Sequence, residues 1–187
     1  MKNRSSQSLA VRALLVSLFA AGTIPAMAEA VPGMHWTHTG STGTVDPADM
    51  AATLYDFDVI QNVGPAAGTV HVRYNVVAVD GLQTIGGEFG GFTLAARYRD
   101  QGTLANVVAR LWQVSLATGE RTPIAVLDSN AFPQSFSFQK REVGVCNISF
   151  DFTQYTYYVG VHLVRGTQAG TVPGLPALAG LQIRPGC

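Results

Sequence analysis

Residues 91–119 read GFTLAARYRDQGTLANVVARLWQVSLATG, and the fold of the chain turns on how this stretch is read. Phe92, Leu94, Ala96 and Tyr98 alternate with Thr93, Ala95, Arg97 and Arg99. That is the period-2 pattern of a strand with one face buried. After Asp100-Gln101-Gly102, a turn-forming tripeptide, a second run carries Val107, Ala109 and Leu111 on one parity and Trp112, Val114 and Leu116 on the other. The switch predicts a β-bulge or a strand covered on both faces. The two runs together are expected to form a long hairpin, with the rest of the chain packed around it.

Working outward, further strand signals recur at short intervals. Residues 54–60 (LYDFDVI) alternate, as do 69–79, where Val70, Val72, Tyr74 and Val76 oppose His71, Arg73 and Asn75. Asp80-Gly81 closes the latter run with a turn dipeptide. Residues 123–127 follow the turn at Gly119, and their leading Pro123 suits an edge strand. Residues 135–138, 147–152, 155–164 and 178–183 complete the set, with a Gly/Pro-rich loop at 166–176. Helix is expected only where Asp46-Pro47-Ala48-Asp49 offers an N-cap followed by proline at the first helical position. Residues 29–43, with Trp36 between His35 and His38, read as a loop. Eight or nine strands with minimal helix predict an all-β antiparallel sandwich or jelly roll.

The first 28 residues belong to a different kind of segment. Lys2, Arg4 and Arg12 precede a short apolar run, and Ala26-Met27-Ala28 is a small-x-small cleavage site. This is the layout of a secretory signal peptide, so residues 29–187 are expected to be one exported domain, periplasmic or extracellular. The apolar run falls short of the ~20 residues of a membrane span. Loss of three of the 12 basic residues would leave nine against 12 acidic ones, a net charge of −3. Phosphate-based recognition of nucleic acid needs the opposite balance. Hydrophobic residues make up 47% and charged ones 13%, a composition that builds a core rather than a disordered chain.

Two cysteines, Cys146 and Cys187, lie in the exported part. In an oxidising compartment they are expected to pair. Closing so long a loop is worth about 4 kcal/mol in the chain-entropy view.

Candidate chemistry is sparse. The Gly86–Gly91 cluster lacks the helix and the basic residue of a phosphate loop. GxSxG and HExxH are absent, and Lys140 is the single lysine after residue 28. Asn147-Ile148-Ser149 matches a glycosylation sequon. His35 and His38 are candidate metal ligands by proximity. Asp56 and Asp58, on one face of a continuous strand, would stand ~7 Å apart. They are candidates for a glycosidase-like carboxylate pair or for calcium. The alternative reading of the chain, a small secreted hydrolase, rests on that pair.

The favoured reading is a non-catalytic exported module, binding or structural, with no cofactor. If residues 69–79, 92–99 and 105–116 share one sheet, then His71, Arg73, Asn75, Arg97, Arg99, Arg110 and Trp112 point away from the core. An indole among guanidinium and amide donors is a platform for a glycan or a small acidic ligand. Trp112, Arg73, Arg97, Arg110 and Asn75 are the candidate ligand-binding residues. Val114 and Leu116 share the parity of Trp112, so Trp112 belongs to the core if that parity faces inward.

Overall fold

The computed structural model describes residues 35–78, 90–101, 104–166 and 174–187. The leader, the Asp80-Gly81 turn, most of the 86–91 glycine cluster, Gly102 and most of the 166–176 loop lie outside them. Eleven strands are described: β1 (Trp36–Thr39), β2 (Thr44–Val45), β3 (Thr53–Asp56), β4 (Val59–Asn62), β5 (Gly68–Val76), β6 (Gly91–Asp100), β7 (Ala105–Ser115), β8 (Arg121–Asp128), β9 (Ser135–Cys146), β10 (Tyr155–Arg165) and β11 (Ala177–Pro185). All pair antiparallel. One sheet runs β3-β4-β11-β6-β9, with β1 also on β11, and the other runs β2-β5-β10-β7-β8. One hydrophobic core is shared by both. The fold is the β-sandwich that the alternation predicts.

The expected 91–119 hairpin does not form. β6 pairs with β9 and β11 in the first sheet, whereas β7 pairs with β8 and β10 in the second. Each strand sends a fully buried row to the common core, Phe92, Leu94, Ala96 and Tyr98 from β6 and Val107, Ala109 and Leu111 from β7. Two such rows bury more apolar surface facing each other across the sandwich than lying side by side, at about 1.5–3 kcal/mol per large side chain. Alternation marks a strand without saying which sheet takes it.

Other differences have local causes. Residues 54–60 are not one strand: β3 and β4 form a tight hairpin whose turn contains Phe57 in left-handed backbone (φ 52°) and Asp58. Residues 135–138 open a twelve-residue strand, β9. Residues 147–152 leave the sheet through Asn147, also left-handed (φ 61°), and drop Phe150 onto Phe92 and Tyr157 at 5.2 and 4.8 Å between ring centroids. Trp36 is not in a loop. It is in β1, 2% exposed, paired across from Ile183. These short additions raise the strand number above the expected eight or nine.

The expected helix start is a 3₁₀ turn over Pro47–Ala52, in which Asp46 accepts from the Ala48 N–H at 3.1 Å. Pro123 sits in the edge strand β8, where a missing N–H is harmless. Cys146 and Cys187 are bridged, with Cα atoms 5.4 Å apart, so the last residue is fastened to the end of β9.

One polar side chain ties the layers together. Asn62 at the end of β4 is 1% exposed, donates to the carbonyls of Leu163 (2.8 Å) and Gly68 (3.1 Å), and accepts from the Gly64 N–H. Carried on the first sheet, its amide satisfies two backbone carbonyls of the second and an N–H of the loop at Gly64.

Candidate binding face

The outer face of the second sheet is organised by register across β5, β10 and β7. Core residues alternate with Thr69, His71, Arg73 and Asn75 on β5 and with Tyr158, Gly160 and His162 on β10, while Arg110 and Trp112 stand on the same side of β7. Three cross-strand rows result: Asn75–Tyr158–Trp112, Arg73–Gly160–Arg110 and His71–His162–Val108.

The first row carries the aromatic surface. Trp112 and Tyr158 are half-buried, with ring centroids 6.3 Å apart and planes 18° from parallel. The guanidinium of Arg73 lies over the Tyr158 ring, 5.3 Å from its centroid. In the middle row Gly160 lets the two rings close over the sheet: a Cβ there would stand 3.4 Å from Trp112 Nε1 and 3.6 Å from Tyr158 Cε2. Across Gly160, Trp112, Tyr158 and Arg73 opens a groove of ≈ 390 Å³. Its far wall is Thr44, Asp46 and Pro47 from β2 and the 3₁₀ turn, and its end is formed by His71 and His162.

The polar groups at that end are wired together. Asp49 accepts from both the backbone N–H (2.8 Å) and Nδ1 (2.7 Å) of His71. The His71 and His162 rings meet edge to face at 4.8 Å. Arg110 approaches His162 Nδ1 at 3.1 Å. A guanidinium can only donate, so Nδ1 accepts and the neutral His162 ring carries its proton on Nε2.

Burial first, then the neighbouring His71 and Arg110, hold the His162 pKa below 6.5. Protonation is therefore easier in the unfolded chain. The stability this group contributes is complete above pH 6.5 and is lost as pH falls through the lower folded-state value. An NMR titration should find His162 titrating below 6.5. A midpoint at or above that value would contradict this partly buried placement of the ring between His71 and Arg110.

The candidate residues from the sequence separate into groups. Trp112 and Arg73 line the groove, Arg110 stands in its middle row, and Asn75 is exposed on the same face beside Tyr158. The β7–β10 pairing is regular throughout, and the expected bulge is instead in β8, between the partners of Leu111 and Trp112. Trp112, Val114 and Leu116 thus keep the outward parity, and Leu116 is exposed. Arg97 is misplaced by the hairpin expectation. It is on the other sheet, exposed, opposite Lys140 and Gly180. Arg99 is there too, donating to Gln61 Oε1 at 3.2 Å.

His35 and His38 flank Trp36 on β1 and its edge, and bond to Gln182 Nε2 (3.1 Å) and Thr42 Oγ1 (3.0 Å) respectively. Asp56 ends β3 while Asp58 is in the turn, so the one-strand geometry assumed for a carboxylate pair is absent. Among the described residues no group of three or more His, Cys, Asp or Glu is placed to hold a metal ion.

No family model matches the sequence, and no curated protein matches it either. Among solved structures, the chain is similar to the C-terminal CBM6 of LamC, a marine laminarinase from Zobellia galactanivorans, at 12% identity and TM-score 0.47, covering 81% of this chain and 99% of that one. The xylan-binding module CBM15 gives 12% and 0.46 over 81% and 96% of the two chains. The CBM22-1 xylan-binding domain of Xyn10C from Paenibacillus barcinonensis gives 10% and 0.41 over 83% and 97%. A likeness of this degree carries no argument about this chain.

Sequence reading missed Tyr158, Gly160 and His162 as site residues. Their signal was present: if Tyr157, Val159, Val161 and Leu163 face the core, the intervening residues face outward.

Proposed function

We propose that this chain is an exported, non-catalytic β-sandwich module that binds carbohydrate on the outer face of its second sheet. The observation that carries the reading is the Trp112–Tyr158 pair, two nearly parallel rings that reach over Gly160 at the groove floor. A pyranose ring offers apolar C–H faces and equatorial hydroxyls. Aromatic faces cover the first, and the Arg73 and His162 donors with the His71 Nε2 acceptor along the same groove suit the second. The rings are on paired central strands rather than on a loop, so little ordering entropy opposes binding. Export is supported by the leader-like first 28 residues and by the Cys146–Cys187 bridge. Among the described residues no helix is long and apolar enough to cross a membrane.

Tryptophan fluorescence tests the reading directly. Trp36 is in the core and Trp112 is in the groove. In a Trp36→Phe background, acrylamide should quench Trp112, and a bound polysaccharide should protect it. A panel of xylan, laminarin, polygalacturonate and alginate supplies neutral and acidic ligands. Protection by at least one supports the reading. Unchanged quenching with all four would sink it.

A further inference from the structure

The groove has an electrostatic asymmetry that the aromatic pair does not explain. Its two acidic neighbours are already engaged: Asp46 caps the 3₁₀ turn through the Ala48 N–H, and Asp49 takes both His71 donors. Arg73 on the groove wall and Arg110 beside it are not paired with acid: among the described residues neither has a carboxylate within ion-pair distance. They stand on either side of Gly160 in one cross-strand row, with ~10 Å between their Cα atoms by strand spacing. Stacking on Tyr158 occupies the face of the Arg73 guanidinium and leaves its in-plane N–H edge available. One Arg110 nitrogen serves His162, and the others remain as donors. The indole and the phenol reach over Gly160 between the two arginine positions, with Trp112 Nε1 3.4 Å from where a Cβ would stand.

We infer that the ligand is an acidic glycan, a polyuronate, its carboxylates taken by the free N–H edges of Arg73 and Arg110 and a neighbouring sugar ring resting on the Trp112–Tyr158 pair. This rests on the reading of the face as a glycan site and adds the charge of the ligand to it. A carboxylate matches the bidentate geometry of guanidinium donors, and charge-assisted bonds of this kind are about twice as strong as neutral ones. Neutral sugars would leave both forks without the anion they are set to receive.

Isothermal titration of the full exported chain with polygalacturonate, alginate, dextran sulfate, xylan and laminarin separates the outcomes. Polyuronates should bind at least roughly tenfold more tightly than the neutral glycans and weaken as salt is raised. Arg73→Gln with Arg110→Gln should remove at least roughly that preference while a thermal melt confirms folding. Arg73→Gln alone, at an exposed position, provides the test if the double variant is unstable. Equal binding of neutral glycans, indifferent to the arginine variants, overturns the polyuronate assignment and leaves the glycan reading standing. Preference for dextran sulfate over both polyuronates overturns the carboxylate. If no glycan binds, or none protects Trp112 from quencher, the reading and the inference fall together.

Discussion

Gly40→Ala is expected to lower the stability of the fold by at least ~3 kcal/mol, about 10 °C in melting temperature for a domain of this size. Gly40 opens the 3₁₀ turn between β1, on the first sheet, and β2, on the second. A Cβ at this position would stand 1.9 Å from the Leu178 carbonyl oxygen and 2.8 Å from its carbon. Both are backbone atoms of β11, which is held on both sides by neighbouring strands and cannot yield as a side-chain tip would. The carbonyl of Gly40 also accepts from the buried Tyr74 hydroxyl, so displacing the turn leaves that phenol without its partner. Three residues on, Gly43 is packed closely against side chains, its Cβ position 2.3 Å from Val72 Cγ1. The crossing that delivers Thr44 and Asp46 to the groove wall is thus fixed by close backbone packing. Gly68→Ala is the control. It has no atom within 4 Å of the added Cβ and should change stability by under ~1 kcal/mol. Chemical denaturation of the three proteins decides the matter, and a Gly40→Ala loss below that of a surface substitution would contradict this packing.

The sequence made the strand character of β5, β6, β7 and β10 legible because each sends an unbroken alternating row into the core. Alternation is a property of one strand and its burial. Sheet membership depends on partners distant in the chain, and nothing local in 91–119 records that β6 faces β9 and β11 while β7 faces β8 and β10. The same limit explains the fate of the arginines. Arg73 and Arg110 share one row on either side of Gly160, whereas Arg97, with equally outward parity, is on the opposite sheet. The division of 54–60 was hidden for another reason. Phe57 is 96% exposed in a left-handed turn, a conformation that bulky residues seldom adopt and that no turn residue announces.

The site was half legible. Trp112 and Arg73 stand out in sequence as large or charged residues at outward positions. Gly160 does not, because its contribution is an absent side chain between Trp112 and Tyr158. His162 depends on its neighbours in the same way: its neutral tautomer follows from an arginine on β7 and its edge contact from a histidine on β5. Depth and protonation in the groove are properties of three strands together.

Trp112→Ala should weaken polygalacturonate binding by at least roughly thirtyfold, the loss of ~2 kcal/mol typical of an aromatic anchor, with little change in melting temperature. The two effects separate because of where the indole lies. Its ring is on the outer face, half-buried, stacked on Tyr158 and lining the groove, while the Leu111 side chain beside it carries the core contact of β7. Truncation therefore removes the ring that a sugar would cover without opening a cavity between the sheets. Trp112→Phe keeps an aromatic face but loses area and the indole N–H above Gly160, so an intermediate affinity is expected. Trp36→Phe, a change in the core beneath β1, should leave affinity within about twofold, as expected of a substitution remote from the groove. Titration calorimetry beside a thermal melt reads both quantities on each variant. If Trp112→Ala binds polygalacturonate as the unaltered chain does, the indole is not part of the ligand's seat and the groove is not where the glycan lies. If affinity and melting temperature fall together, and fall alike for Trp36→Phe, the effect is loss of fold and the aromatic pair has no role of its own.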